Sequence, residues 1–253
     1  MPSRGRLIAV EGISAAGKST LVSEATSRLG WTSVREAFDR LEPAPSLDFG
    51  SERELLQLES MLLREESRRY RDARELARKG RTVLTDTGFL GPLTYTLGLV
   101  ARGNASPRTA RRLLELAASR VRRRALGIPD LTVYLETTRD ERSVRGHQGA
   151  VSHPAALVRR HERVGLVERG FYFRALGRAR PGRIAALRGH ARPELLVRHL
   201  EKLVRATPVA PATRREAEAV LADLGALLAR YAPHAAAPTV KKATRSRRPP
   251  RPR

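Results

Sequence analysis

The stretch Leu7-Ile8-Ala9-Val10-Glu11-Gly12-Ile13-Ser14-Ala15-Ala16-Gly17-Lys18-Ser19-Thr20 decides how this chain is read. From Gly12 to Ser19 it fits G-x-x-x-x-G-K-[ST] at every fixed position. At average residue usage, about one chain in a hundred of this length would match by chance. Gly12 and Gly17 permit turns that a Cβ would block, so successive N–H groups face one concavity and can meet phosphate oxygens. Lys18 adds a mobile charge for β- and γ-phosphates, and the Ser19 hydroxyl is placed to touch Mg²⁺. The flanks agree with this. Leu7 to Val10 is an apolar run suited to a buried parallel strand, and Leu21, Val22, Ala25 and Leu29 mark one face of a helix over Lys18 to Leu29. Strand, glycine loop and helix N-terminus come in the order that aims a helix dipole at an anion. The nucleotide-contacting residues are therefore expected to be Gly12, Ile13, Ser14, Ala15, Ala16, Gly17, Lys18, Ser19 and Thr20.

Composition bounds the rest. With 253 residues, 41% of them hydrophobic, the chain can bury one substantial α/β domain plus an appendage. It has no cysteine, which excludes disulfides, thiolate metal sites and cysteine nucleophiles. No apolar run approaches the ~20 residues of a membrane span, and the N-terminus reads into a strand rather than a signal peptide. The expectation is a soluble, cytoplasmic protein. The net charge of +23 suggests nucleic acid, but of the 49 basic residues only Lys18, Lys79, Lys202, Lys241 and Lys242 are lysine, leaving 44 arginines. A GC-rich coding sequence gives the same bias. Residues 233–253, with seven basic residues from Lys241 onward and no apolar periodicity, read as a disordered basic tail.

Further strands are expected at Thr32 to Arg35, Thr82 to Thr85, Leu131 to Leu135 and Arg183 to Leu187. Ser51-Glu52-Arg53-Glu54 is a capping-box signature opening a long helix, with Leu55, Leu58, Leu62, Ala73 and Leu76 on its apolar side. Strands alternating with helices predict a three-layer α/β/α domain around a five-stranded parallel sheet, over residues 1–206. Residues 207–212 read as a linker and 213–232 as an extra C-terminal helix.

Asp86 ends a strand where a phosphate-binding protein needs a carboxylate for Mg²⁺, so Ser19 and Asp86 form the candidate metal pair. The alternative is an Asp that caps the next turn. Glu36, at the end of the second strand, could accept a proton from an acceptor hydroxyl, or could pair with Arg35 or Arg40. Arg139, Arg142 and Arg145 share one helix face and could stabilise a transferring phosphoryl group, the alternative being a solvated basic face. His147 and His153 lack metal-ligand spacing, and the aromatics form no base-stacking platform.

Together these segments resemble the thymidylate kinase family of P-loop phosphotransferases and its nucleoside and nucleotide kinase relatives, from about Arg6 to Arg205. Glu11-Gly12 through Ser19-Thr20 is similar to the family's E-G-x-x-x-x-G-K-S-T, and Arg35-Glu36 falls where it carries R-E-P. Val83-Leu84-Thr85-Asp86 resembles V-x-x-D-R, and Pro129-Asp130-Leu131-Thr132-Val133-Tyr134-Leu135 resembles P-D-L-T-x-x-L. The arginine-bearing segment at about 138–170 sits where the family has its LID. The resemblance implies ATP with Mg²⁺, and a small acceptor, most often a nucleoside or nucleoside monophosphate. Departures fall on the acceptor side: Thr87 replaces the Arg after the strand-end Asp, Thr94-Tyr95-Thr96 replaces A-Y-Q, Ala37 replaces the proline of R-E-P, and Ser14-Ala15-Ala16 carries no acidic residue. The acceptor need not be thymidylate. An ATP-binding regulatory protein without kinase activity, or a nucleic-acid-associated ATPase, is the alternative reading. Expected partners are the small acceptor, no membrane, and nucleic acid only through the tail, with a homodimer left open.

Overall fold

The computed structural model describes residues 5–13, 15–43, 45, 49–136, 155–188 and 192–231, with the backbone alone at 155–163 and 166. Among these residues five strands form one sheet: β1 (Arg6–Glu11), β2 (Thr32–Val34), β3 (Thr82–Asp86), β4 (Leu131–Glu136) and β5 (Ile184–Arg188), in the order β2-β3-β1-β4-β5. Every pairing is parallel, with Val10 opposite Asp86 on one side and Val133 on the other. Such a sheet must be covered on both faces. Alternation along the strands shows how: Leu7 and Val83 join the core on one face, while Ile8, Val10 and Leu84 join the core on the other.

The helices are α1 (Lys18–Leu29), α2 (Glu52–Arg78), α3 (Gly91–Ala101), α4 (Pro107–Arg122), α5 (Ala155–Ala179), α6 (Pro193–Ala206) and α7 (Arg214–Tyr231). Helices α1 and α6 cover one face; α2, α3, α4, α5 and α7 contribute to the core of the other. At the start of α2 the Ser51 hydroxyl accepts from the Glu54 N–H at 3.2 Å. The reciprocal half differs from the sequence reading, because the Glu54 carboxylate accepts from the Gly50 N–H at 2.7 Å rather than from Ser51. The apolar side of α2 also runs through Leu63, fully buried, while Leu62 is half-buried.

Helix α7 buries Val220, Leu221, Leu224, Leu227 and Leu228 against the main body, touching α4 and α5. Burying such a side chain is worth roughly 1.5–3 kcal/mol, so α7 belongs to the folded unit. No described helix is long and apolar enough to cross a membrane. The segment at 137–154, with Arg139, Arg142, Arg145, His147 and His153, and the tail at 232–253 lie outside the described residues.

Candidate active site at the carboxyl ends of the strands

Chain leaving β1 turns at once into α1, and the turn is held by backbone geometry that its residues dictate. Gly12 has φ +148°, and a Cβ there would come within 2.8 Å of the Leu135 carbonyl oxygen, so only glycine lets the loop cross β4 this closely. Gly17, at φ 94°, is the N-cap of α1 and supplies no side-chain cap. The N-cap therefore offers the first N–H groups of α1 no side-chain acceptor, as an anion site at a helix N-terminus requires. Lys18 folds back over the loop, its Nζ donating to the carbonyls of Gly12 at 3.0 Å and Ile13 at 3.2 Å. Ser14 lies outside the described residues, and the side chain of Thr20 is exposed.

In the first turn of α1, the Ser19 hydroxyl donates to Oδ2 of Asp86, which ends the neighbouring strand β3. The other carboxylate oxygen, Oδ1, is buried and accepts no hydrogen bond from any described residue. A buried carboxylate oxygen without a partner is costly unless something else comes to it. Ser19 and Asp86 thus fit a divalent cation of the kind that takes one or two protein oxygens and completes its shell with phosphates and water. Among the described residues no three His, Asp or Glu side chains converge to hold an ion unaided.

Glu36 stands two residues beyond β2, and together with Ser19, Ser23, Arg35, Asp39 and Asp86 it lines a cleft of about 450 Å³. Burial pushes its carboxyl up, and the Asp86 charge adds to the effect; Lys18 and Arg69 oppose it. So Glu36 and Asp86 are near enough to feel one another, and Lys18 is near enough to feel Glu36. That is the constellation the sequence placed in one crevice. Arg139, Arg142 and Arg145 lie outside the described residues.

Several polar groups around this crevice were not singled out in the sequence. Arg69, in the middle of α2, is completely buried. Its Nη1 donates to both oxygens of Glu66, at 3.0 and 2.8 Å, and its Nη2 donates to the carbonyls of Asp86 and of Thr87, the latter at 2.9 Å. Thr87 has φ 63°, an uncommon conformation for a β-branched residue. Burial lifts Glu66 to about 7 in spite of its arginine partner. On the far flank of Lys18, Glu11 accepts from the Gly88 N–H at 2.6 Å; a Cβ on Gly88 would collide with that carboxylate. Glu168 of α5 accepts from the Thr94 hydroxyl at 3.2 Å, and α5 rests on Ile13 of the loop at Gly165. Burial raises Glu168 to about 7 and Glu59 well above the usual carboxylate range. The hint in the sequence was the apolar stripe of α2, which, followed from Leu55 through Leu58 to Ala73, passes through Glu59, Glu66 and Arg69.

Glu11 carries a testable consequence. Burial first, and then the Glu168 charge, push it from 4.5 to about 8, against Tyr172, the Gly88 N–H and Lys18, which lower it. The folded chain holds this proton more tightly than the unfolded one, so the stabilisation is complete below about pH 4.5 and is lost as pH rises toward 8. Urea midpoints between pH 6 and 8 should therefore fall more steeply for the wild type than for Glu11→Gln. Parallel slopes would overturn the assignment.

No family model and no curated protein matches this chain. Solved structures do. A deoxyadenosine kinase from M. mycoides with bound dATP superimposes with a TM-score of 0.61 at 14% identity, covering 79% of this chain and 100% of the other. A thymidylate kinase from Candida albicans gives 0.56 at 20% identity, over 80% of this chain and 92% of the other. The M. mycoides enzyme with bound dCTP gives 0.53 at 16% identity, over 79% and 99%. The chain therefore has the P-loop α/β fold found in nucleoside and nucleotide kinases.

Proposed function

We propose that this protein is an ATP-dependent phosphotransferase that moves the γ-phosphoryl group to a small acceptor, a nucleoside or nucleoside monophosphate. The observation that carries the reading is the Ser19–Asp86 pair beside Lys18, with one buried carboxylate oxygen left for a cation. ATP phosphates would lie on the N–H groups between Gly12 and Thr20, with Lys18 exchanging the Gly12 and Ile13 carbonyls for phosphate oxygens. Ser19 and Asp86 would hold Mg²⁺, which neutralises charge on the phosphates. Glu36, raised by burial, is suited to take the proton of an acceptor hydroxyl. In the reaction the bond between the γ-phosphorus and the bridging oxygen of ATP breaks, a bond from the acceptor oxygen to phosphorus forms, and ADP leaves. Arg139, Arg142 and Arg145 are proposed to neutralise the phosphoryl group in flight.

The test is direct: purified protein with Mg·ATP and a panel of nucleosides and monophosphates, products read by mass spectrometry. One acceptor should gain a phosphoryl group. Lys18→Ala should bind ATP about ten- to a hundredfold more weakly, the loss expected of a charge-assisted hydrogen bond, and should lose turnover further. Tight ATP binding with no acceptor phosphorylated would instead favour a regulatory ATP-binding protein. Unchanged affinity and turnover in Lys18→Ala would remove the basis of the proposal.

A further inference from the structure

At the opposite end of the sheet the chain builds a second cavity, of about 720 Å³, at the amino ends of β1 and β4. It lies a strand length, roughly 20 Å, from the P-loop. Its walls come from three separate elements: Tyr70, Arg71, Arg74 and Arg78 from α2, Arg124 from the turn after α4, and Arg214 from the start of α7. Positions 71, 74 and 78 recur at helical spacing, so one face of α2 presents all three guanidinium groups. Arg124 has φ 56°, a left-handed conformation uncommon for a residue other than glycine, in the turn that follows α4. The volume falls within the range of small-molecule sites.

Charge in this cavity is not balanced by the acids that line it. Asp130 is buried and fully engaged: Arg74 donates to it at 2.6 Å, and the N–H groups of Leu7 and Ala212 donate at 2.9 and 2.8 Å. Glu75 is held by Lys79 at 2.6 Å, and Arg214 lies 3.5 Å from Glu218. The side chains of Arg71, Arg78 and Arg124 make no hydrogen bond or ion pair with any described residue, although Arg78 stands near enough to Glu75 to lower its carboxyl. Three guanidinium groups around one concavity, none of them hydrogen-bonded to a described residue, suit a multiply charged anion, since each fork can grip two oxygens of a phosphate.

We propose that this cavity is a second binding site, separate from the P-loop crevice, for a small phosphate-bearing anion. The site rests on α2, α4 and α7 and on the Arg74–Asp130 floor, so it stands whether or not the P-loop crevice is catalytic. It also assigns a task to α7, whose first residues close one wall.

The probe is inorganic tripolyphosphate, titrated calorimetrically into the full-length chain carrying Lys18→Ala, so that P-loop binding does not mask the second event. Physiological salt, about 0.15 M, screens diffuse attraction to the rest of the basic surface. One tripolyphosphate should bind per chain. Adding Arg71→Gln, Arg78→Gln and Arg124→Gln together should weaken it at least about tenfold, whereas the matching triple change to lysine, which keeps the charge but loses the forks, should fall between the parent and the glutamine variant. The basic tail is the same in every variant, so it cannot produce this difference. All three side chains are exposed, and circular dichroism checks that the triple variant folds; should it fail, the three single glutamine variants, each weaker than the parent, serve instead. Absence of binding, or equal binding in the parent and glutamine chains, would overturn the proposal. So would a short DNA duplex whose binding is lost in the triple variant while tripolyphosphate binding is not, because the arginines would then serve a nucleic-acid backbone.

Discussion

Asp86→Asn is expected to lower kcat about a hundredfold or more with every acceptor, and Glu36→Gln to act only on the acceptor half of the reaction. The two carboxylates differ in their surroundings. Asp86 faces the Ser19 hydroxyl with one oxygen and nothing with the other, so its replacement by an amide removes the negative charge a divalent cation needs. Glu36 stands across the same cleft, with a proton affinity raised by burial and by Asp86 itself. If the acceptor presents a hydroxyl, Glu36→Gln should cost about 10²–10⁴ in kcat with ATP affinity nearly unchanged. If the acceptor is already a phosphate monoester, its oxygen is largely ionised near pH 7 and needs no base. The variant would then show a raised KM at nearly constant kcat. The pair of variants therefore reports the acceptor class as well as the roles. Weakened Mg·ATP binding in Glu36→Gln, with full activity in Asp86→Asn, would show the assignments to be reversed.

The positions of those two residues were legible in the sequence because Asp86 ends an apolar strand, Glu36 stands just past another strand, and a parallel sheet brings strand ends together. The P-loop was legible for a stronger reason: its glycines, lysine and serine have fixed spacing within nine residues. The strand positions and the start of α2 were read correctly to within a residue or two, since periodicity and turn residues are local. What escaped was the polar packing of α2. Glu66 and Arg69 sit in the run Arg64-Glu65-Glu66-Ser67-Arg68-Arg69-Tyr70-Arg71, where alternating charges read as a solvated helix face. Only the sheet face against which α2 lies makes them interior, and that contact joins residues far apart in the chain. Glu11 and Glu168 escaped for the same reason, being brought together by β1 and α5 rather than by spacing. The cavity at the other end of the sheet was invisible because 44 arginines make any three of them unremarkable until their partners, or lack of partners, are known.

Arg69→Met is expected to destabilise the fold by about 3–5 kcal/mol, the range for stranding one member of a buried ion pair. In a domain of this size each kcal/mol moves the midpoint by roughly 2–4 °C, so Tm should fall by about 10 °C. Glu66 is the reason. It is 3% exposed, and its carboxylate is held through both oxygens by Arg69. The carbonyls of Asp86 and Thr87 lose their donor in the same step, and Thr87 then keeps its left-handed backbone without support. Arg69→Lys should recover only part of the loss, because an ammonium cannot span the carboxylate and two carbonyls at once. The linkage gives a sharper mark. With Arg69 present Glu66 already titrates near 7; with the cation removed it must rise further, so the carboxyl folds protonated. A raised carboxyl stabilises at low pH and loses that contribution as pH rises through its folded value, so the penalty of Arg69→Met should be larger at pH 8 than at pH 5.5. Glu66→Gln placed in the Arg69→Met background should restore stability at pH 8 and flatten the pH dependence, giving a coupling energy in the double-mutant cycle. A penalty under about 1 kcal/mol, or one independent of pH and untouched by Glu66→Gln, would show that the Arg69–Glu66 pair does not hold α2 to the end of β3.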